Sequence, residues 1–156
     1  AEEMQQALRR LSPKHPILVM AAAVADYRSA RPAKRKIASG DSAMRLALAP
    51  NPDILAGLAA GRLGMKTIGF ALETGAGGIA RAREKLARKG CDLIVWNDPT
   101  REGSRFGGGT NEAVLLFADG REEKLPLMTK ERLARTILDR VERLEPKAAP
   151  RRRKKR

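Results

Sequence analysis

The chain has 156 residues, 42% of them hydrophobic, and its 32 lysines and arginines against 18 acids give a net charge of +14. This length and apolar fraction fit one globular domain and exclude wholesale disorder. The longest apolar run, residues 17–25, is too short to span a bilayer, and no signal peptide precedes it, so a cytoplasmic location is expected. One cysteine, Cys91, implies a reducing compartment, and one histidine, His15, excludes a His/Cys zinc site within the chain. Half of the net charge, seven positive groups, lies on the tail KAAPRRRKKR, which cannot bury anything and is expected to be disordered.

In chain order, residues 1–11 predict a helix with Met4, Ala7, Leu8 and Leu11 on one face, closed by Pro13 and Pro16. ILVMAAAVA, residues 17–25, predicts a strand buried on both faces, because its apolar run is continuous. Residues 28–42 predict a basic loop and AMRLALA, residues 43–49, a further strand. NPDILAGLAAGR predicts a helix with Asn51 as N-cap, Pro52 at its first position and Asp53 in its first turn. MKTIGFALE predicts a strand, GIARAREKLARKG an amphipathic helix closed by Gly90, and CDLIVWN a buried strand that starts at Cys91. A glycine-rich loop leads into a hairpin turned by Asp119-Gly120, and the last helix is capped by Thr129. Alternating strands and helices predict an α/β fold, a parallel sheet with an appended β-hairpin, in one domain over residues 1–145 with the tail, residues 146–156, beyond it.

In such a sheet, ligands bind beyond the carboxyl ends of the strands. Three strand ends deliver Asp26, Glu73 and Asn97-Asp98 to that edge, although polar residues also begin ordinary loops. The helix start at Asn51 offers free amides to an anion, or is simply a capped helix. Lys85 and Lys89 lie four apart on one helix face, and Lys36 lies in the basic loop; each is equally a solvated lysine. GAGGIA, residues 75–80, matches a dinucleotide fingerprint after a strand and before a helix, with Asp98 near the spacing of a ribose acid. It follows a strand other than the first, after the polar pair Glu73-Thr74. FGGGTN lacks the lysine of a phosphate loop and reads as a flexible connection. The five aromatics, Tyr27, Phe70, Trp96, Phe106 and Phe117, lie mostly within or beside buried strands, which argues against a dedicated nucleic-acid module.

Taken in order, AAAVADYR, KRKI, LAPNPDIL, IGFALET, KLARKGCDLIVWND and LPLMTKERLARTILD resemble the synthetase part of bacterial phosphopantothenoylcysteine synthetase/decarboxylase, over about residues 1–144. The resemblance implies a Rossmann-like three-layer sandwich with a mostly parallel sheet. It implies a ligase of coenzyme A biosynthesis that activates 4'-phosphopantothenate with CTP (ATP in some relatives) and joins it to L-cysteine. By the same resemblance Ala21, Ala22, Ala23, Asp26, Pro52, Asp53, Ile54, Leu55, Phe70, Lys85 and Lys89 contact the nucleotide. Lys36 matches the catalytic lysine of a flexible flap, with Glu73 and Asn97 as additional candidates. Mg2+ is expected with the nucleotide, without an assigned ligand set, and FMN only in the decarboxylase half, which this sequence does not contain. A homodimer is implied, with the hairpin contributing.

The sequence departs from the family at the flap, where Lys36-Ile37-Ala38-Ser39 stands for KIKK, and after Thr74, where the loop is glycine-rich. The family's upstream GGT segment has no counterpart, and the chain opens without Met, so a fragment, or a second chain supplying that part, is expected. Weak nucleotide binding and little turnover are expected of the chain by itself. Two other readings stand beside the ligase: a nucleic-acid-associated protein that uses the basic tail non-specifically, and a dinucleotide-dependent oxidoreductase that uses GAGGIA.

Overall fold

The computed structural model describes residues 1–37, 39, 43–61, 65–105 and 107–145. The basic tail, Phe106, Ala38 and part of the basic loop lie outside the described residues. The chain runs α1 (Glu2–Leu11), a 3-10 turn (Ser12–Lys14), β1 (Ile17–Met20), β2 (Tyr27–Ser29), β3 (Leu48–Pro50), α2 (Ile54–Ala60) and β4 (Lys66–Leu72). It continues with α3 (Gly78–Lys89), β5 (Leu93–Asn97), β6 (Thr110–Phe117), β7 (Glu122–Thr129) and α4 (Lys130–Glu142). The five-stranded sheet has the order β1-β4-β5-β6-β7, parallel from β1 to β5 and antiparallel through the β6–β7 hairpin.

Two apolar clusters make this a three-layer α/β sandwich. On one face Leu133, Ile137 and Val141 of α4 pack on Ile68, Leu93, Val95 and Leu115 of the sheet. On the other, Leu55 of α2 with Ala82 and Leu86 of α3 pack on Ala71, Ile94, Trp96 and Leu116. The central strand β5 is buried on both faces from Leu93 to Trp96, as its unbroken apolar run requires. Inside the sheet, Asp92 accepts from the amide and hydroxyl of Thr67 at 2.7 and 3.0 Å, so its buried carboxylate is hydrogen-bonded. Lys66 donates to the Val141 and Glu142 carbonyls at 3.0 and 2.9 Å, satisfying groups that the end of α4 leaves free.

Several expectations are corrected. The first strand stops at Met20, and as the sheet's outer strand it alternates, with Leu18 and Met20 facing the core while Ile17 and Val19 stand outward. An apolar run reads as doubly buried only when both neighbours and both covering layers exist, and β1 has one strand neighbour. Residues 21–25 leave the sheet as an irregular segment in which the Val24 amide donates to the Ala22 carbonyl at 3.1 Å. The predicted strand over residues 43–49 shrinks to β3, which pairs with β2 in a separate two-stranded ribbon. That stretch falls within the β1–α2–β4 crossover, and both parallel neighbours of β4 are already in place as β1 and β5. Cys91 is fully buried but precedes β5, which starts at Leu93. α1 buries no residue fully, and Leu11 is half exposed, so its apolar stripe is only partly covered.

Candidate active site

A cleft of about 860 Å³ opens along the carboxyl edge of the parallel strands. The chain after β1 forms one wall: Ala21, Ala22, Ala23, Val24, Ala25 and Asp26 line it with small side chains that leave the backbone approachable. Asn51 ties this wall to the entrance of α2. Its amide nitrogen donates to the Ala25 carbonyl at 2.8 Å, its backbone N–H to the Asp26 carbonyl at 2.7 Å, and its Oδ1 accepts from Arg28. Asn51 is therefore not the N-cap. Asp53 takes that place, with extended backbone and a carboxylate that accepts from the Ala56 amide at 3.1 Å, and Pro52 stands ahead of the helix. Replacing Asn51 with alanine is expected to loosen the 21–26 wall. Amide exchange at Asn51 and proteolysis within residues 21–26 should both rise while the melting temperature moves little, and an unchanged exchange pattern would contradict the bracing role.

The floor is β4. Phe70 presents a ring that is 41% exposed to the cleft, and Gly69 lets Leu55 approach so closely that an added Cβ would lie 2.9 Å from its methyl. That contact draws Ile54, Leu55 and the start of α2 against the strand. α3 supplies Lys85, Arg88 and Lys89. Lys89 donates to both oxygens of Asp53 at 3.2 and 3.1 Å, and Lys85 meets Glu73 at 2.7 Å, with Arg81 on the other Glu73 oxygen at 3.0 Å. Partial burial works against the charged form of Asp53, but the Ala56 amide and Lys89 outweigh it and hold its pKa below the ordinary 3.8. The Lys85 hydrogen bond above all, with help from Arg81, holds Glu73 below its ordinary 4.5 against the opposing effect of desolvation.

Because these folded-state values are depressed, the stability they confer is complete above the ordinary carboxylate values and is lost as pH falls through the folded ones. Urea midpoints from about pH 6 to about pH 3 should therefore fall below pH ~4.5. Glu73→Gln should be less stable than the parent near neutrality and equal to it at the acid end. A constant difference across that range would show that the Glu73 ion pairs contribute nothing.

β5 ends in Asn97, which lines the cleft, and Asp98, which is 6% exposed. Asp98 accepts from the Thr100 hydroxyl at 2.6 Å, the Thr100 amide at 2.9 Å and the Gly75 amide at 3.2 Å; the Thr100 hydroxyl above all lowers its pKa. The carboxylate thus latches the loop before α3 to the loop after β5 and is not free for a ribose. The glycines of GAGGIA have packing reasons as well: Gly75 has φ +76°, and a Cβ on Gly78 would lie 2.8 Å from Trp96 and 2.9 Å from the Glu73 carbonyl oxygen. The segment is a tight loop set against Trp96, whose ring nitrogen donates to that same carbonyl at 3.1 Å.

The cleft therefore gathers Ala21–Ala23, Asp26, Pro52–Leu55, Phe70, Lys85, Lys89 and Asn97 from stretches far apart in the chain. Besides Asp98, two expected residues are not on its lining. Glu73 acts from behind by holding Lys85, and Lys36 lies exposed between β2 and β3. One wall was not expected at all: Ser104, Arg105, Asn111 and Lys130. The signal was the hairpin, since a strand antiparallel to β5 must start where β5 ends, and β7 must then return there. Thr110 pairs with Thr129 at that end, which brings Lys130 to the cleft. Among the described residues no group of three His, Cys, Asp or Glu is arranged to hold a metal, and no helix is long and apolar enough to cross a membrane.

Comparison with known proteins fits this arrangement. Residues 1–144 match the sequence model of the DNA/pantothenate metabolism flavoprotein C-terminal domain. The chain is 40% identical over 151 residues to the coenzyme A biosynthesis bifunctional protein CoaBC of Mycobacterium tuberculosis, a match covering 90% of this chain and 36% of that protein. It thus spans about a third of the length of such curated relatives. Among solved structures, the C-terminal domain of a CoaBC superposes with a TM-score of 0.69 at 30% identity, covering 91% of this chain and 61% of that one. A Cab2 variant crystallised with phosphopantothenate-cysteine superposes at 0.62 with 17% identity, over 90% of this chain and 50% of that one, which is a likeness of fold. With the match spanning the whole globular part, the chain belongs to the DNA/pantothenate metabolism flavoprotein C-terminal domain family.

Proposed function

We propose that this chain carries the nucleotide-binding part of a phosphopantothenate–cysteine ligase of coenzyme A biosynthesis. The observation that carries the reading is the convergence, on one cleft, of the small-residue wall, Asp26, the α2 entrance, Phe70 and two lysines of α3. In the proposed reaction a carboxylate oxygen of 4'-phosphopantothenate attacks the α-phosphorus of CTP or ATP, and the bond to pyrophosphate breaks. The amine of L-cysteine then attacks the acyl carbon, the bond to the nucleoside monophosphate breaks, and the amine gives up a proton.

The chain's groups suit the binding half of this chemistry. An exposed aromatic floor at Phe70 offers a stacking face to a base. Lys85, Arg88 and Lys89 line one side of the cleft, and the ion pairs to Glu73 and Asp53 tether its two lysines. Lys36, on the segment after β2, is proposed to swing over the reacting phosphate, where a cation stabilises developing charge. Asp26 has no side-chain partner among the described residues, which leaves its carboxylate for the ligand. Mg2+ is commonly held by one or two carboxylates together with substrate phosphates, and Asp26 is the group that would hold it here, where the ion would neutralise phosphate charge.

A second protomer belongs to the proposal. The ribbon and the segment that leads into β3 expose Tyr27, Met44, Leu46 and Leu48, each by more than half, apolar side chains of the kind that association covers. Sedimentation of a monomer at all concentrations would remove that part.

Calorimetric titration with CTP and with ATP, in Mg2+, tests the whole. Saturable binding of one nucleotide, lost in Asp26→Ala, is expected. Equal binding by the variant would overturn the assignment of Asp26, and no binding of either nucleotide would overturn the nucleotide reading of the cleft in this chain.

A further inference from the structure

The wall that the hairpin adds to the cleft brings three hydrogen-bond donors to it. Lys130 is the first residue of α4, at the positive end of the helix dipole, where a lysine is electrostatically misplaced. It lines the cleft and has no acidic partner among the described residues, and neither does Arg105, which lines the cleft too. The contrast with the α3 bank is direct, since Lys85 and Lys89 are both neutralised. The third donor is Asn111, which lines the cleft with its Oδ1 enclosed and without a hydrogen-bond partner, the only such side-chain atom found among the described residues. With its oxygen enclosed, Asn111 has only its amide nitrogen to offer the cleft.

The backbone is built to hold this arrangement. The β6–β7 register shifts between Asn111 and Ala113, a bulge of the kind that re-aims a side chain beside a site. The Glu112 amide, taken out of the ladder there, donates instead to the Oγ of Ser104 at 3.1 Å, and Ser104 is buried. The Thr110 hydroxyl donates to the Gly103 carbonyl at 2.7 Å, so the loop after β5 is stitched to the start of β6. Ser104 is thus a positioning residue for the bulge, and the bulge brings Asn111 to the wall that Arg105 and Lys130 share. Local rules broken together, on a fixed backbone and at a cleft, mark a functional position.

We propose that Lys130, Arg105 and the Asn111 amide nitrogen form a second anion subsite of the cleft, which takes a phosphate or carboxylate group of a substrate. All three groups only donate hydrogen bonds, and two carry positive charge, so the partner must be an oxyanion. The inference deepens the ligase reading and rests on it for the source of the anion. That source is the terminal phosphates of the nucleotide, the phosphate of the pantothenate substrate, or the carboxylate of the amino acid.

The test titrates the whole chain and its Lys130→Ala, Arg105→Ala and Asn111→Asp variants with three matched pairs: CTP and CMP, 4'-phosphopantothenate and pantothenate, L-cysteine and cysteamine. Inorganic pyrophosphate is the seventh probe. Lys130 and Arg105 are exposed, so their variants should fold, and thermal melting checks this. Lys130→Ala is expected to weaken the charged member of one pair by about tenfold or more, the scale of a charge-assisted hydrogen bond, and to leave its uncharged or shortened mate unchanged. Asn111→Asp should do the same by repulsion, and the affected pair identifies the source. CTP binding that is lost in Asp26→Ala but untouched in all three variants would overturn the subsite and leave the ligase reading standing. Pyrophosphate binding that falls in Lys130→Ala, with no CTP or phosphopantothenate bound by the parent chain, would uphold the subsite and remove the ligase reading. Failure of the parent chain to bind any of the seven probes would overturn both.

Discussion

Leu115→Ala is expected to lower the folding stability of this chain by ~2–5 kcal/mol, the range for emptying a large aliphatic site in a closed core. Leu115 is fully buried at the middle of β6, opposite Val95 in the register, within the cluster that joins the sheet to Leu133, Ile137 and Val141 of α4. Its neighbours sit on a sheet and a helix, which cannot collapse inward to refill the space, so the loss should fall in the upper part of that range. Urea unfolding measures it as a lower midpoint at unchanged slope. The cleft lining does not include Leu115, so nucleotide affinity measured well below the new midpoint should be unaltered. A loss below 1 kcal/mol would mean that the α4 face is not packed as described.

The second large effect separates two neighbouring glycines. Gly78→Val should destabilise the chain by ~1–3 kcal/mol, as forced overpacking does, because its Cβ would meet the Trp96 ring and the backbone oxygen of Glu73, and backbone cannot step aside. Gly77→Ala should be nearly silent, since its Cβ would meet only the far end of the flexible Arg81 side chain. A dinucleotide site would show the reverse pattern, because Gly77 is a fixed glycine of G-x-G-x-x-A, where the pyrophosphate approaches, whereas Gly78 is one of its free positions. Comparing melting temperature with cofactor binding for the two variants decides between packing and binding. The structure favours packing, because Asp98, which the dinucleotide reading needs for a ribose, is already engaged by Thr100 and Gly75.

Two kinds of bank line the cleft. On the α3 side, each lysine is held by a carboxylate that also has a structural task, Asp53 as a helix cap and Glu73 as a partner of Arg81. Such pairs keep long side chains extended before a ligand arrives, which lowers the ordering cost of binding. On the hairpin side, the cations stand without carboxylates among the described residues, and a ligand anion there would meet no competing group.

Periodicity and local chemistry in the sequence determined most elements by themselves. The α3 pattern with Gly90, which adopts φ +65° at the helix end, the unbroken run of β5, the Asp-Gly hairpin and the Thr129 cap all appear as read, because each is fixed by residues close in the chain. The candidate residues from Ala21 to Asn97 come from the resemblance of the motif blocks, and Asp26, Glu73 and Asn97 follow also from their places after strands. Tertiary structure alone decided the rest. Whether ILVM was doubly buried depended on how many neighbours the strand would have, which no local pattern encodes. Asn51 and Asp53 are both good caps two residues apart, and the choice fell to Asp53 only because the Asn51 amide bridges to Ala25, 26 residues away in sequence. Lys130 looked like an ordinary helix residue until the antiparallel return of the hairpin carried it to the carboxyl edge of strands it follows by more than thirty residues. Sequence spacing governs what a residue can do within its own element, whereas strand order and direction govern which elements share an edge, and it is on a shared edge that this cleft is built.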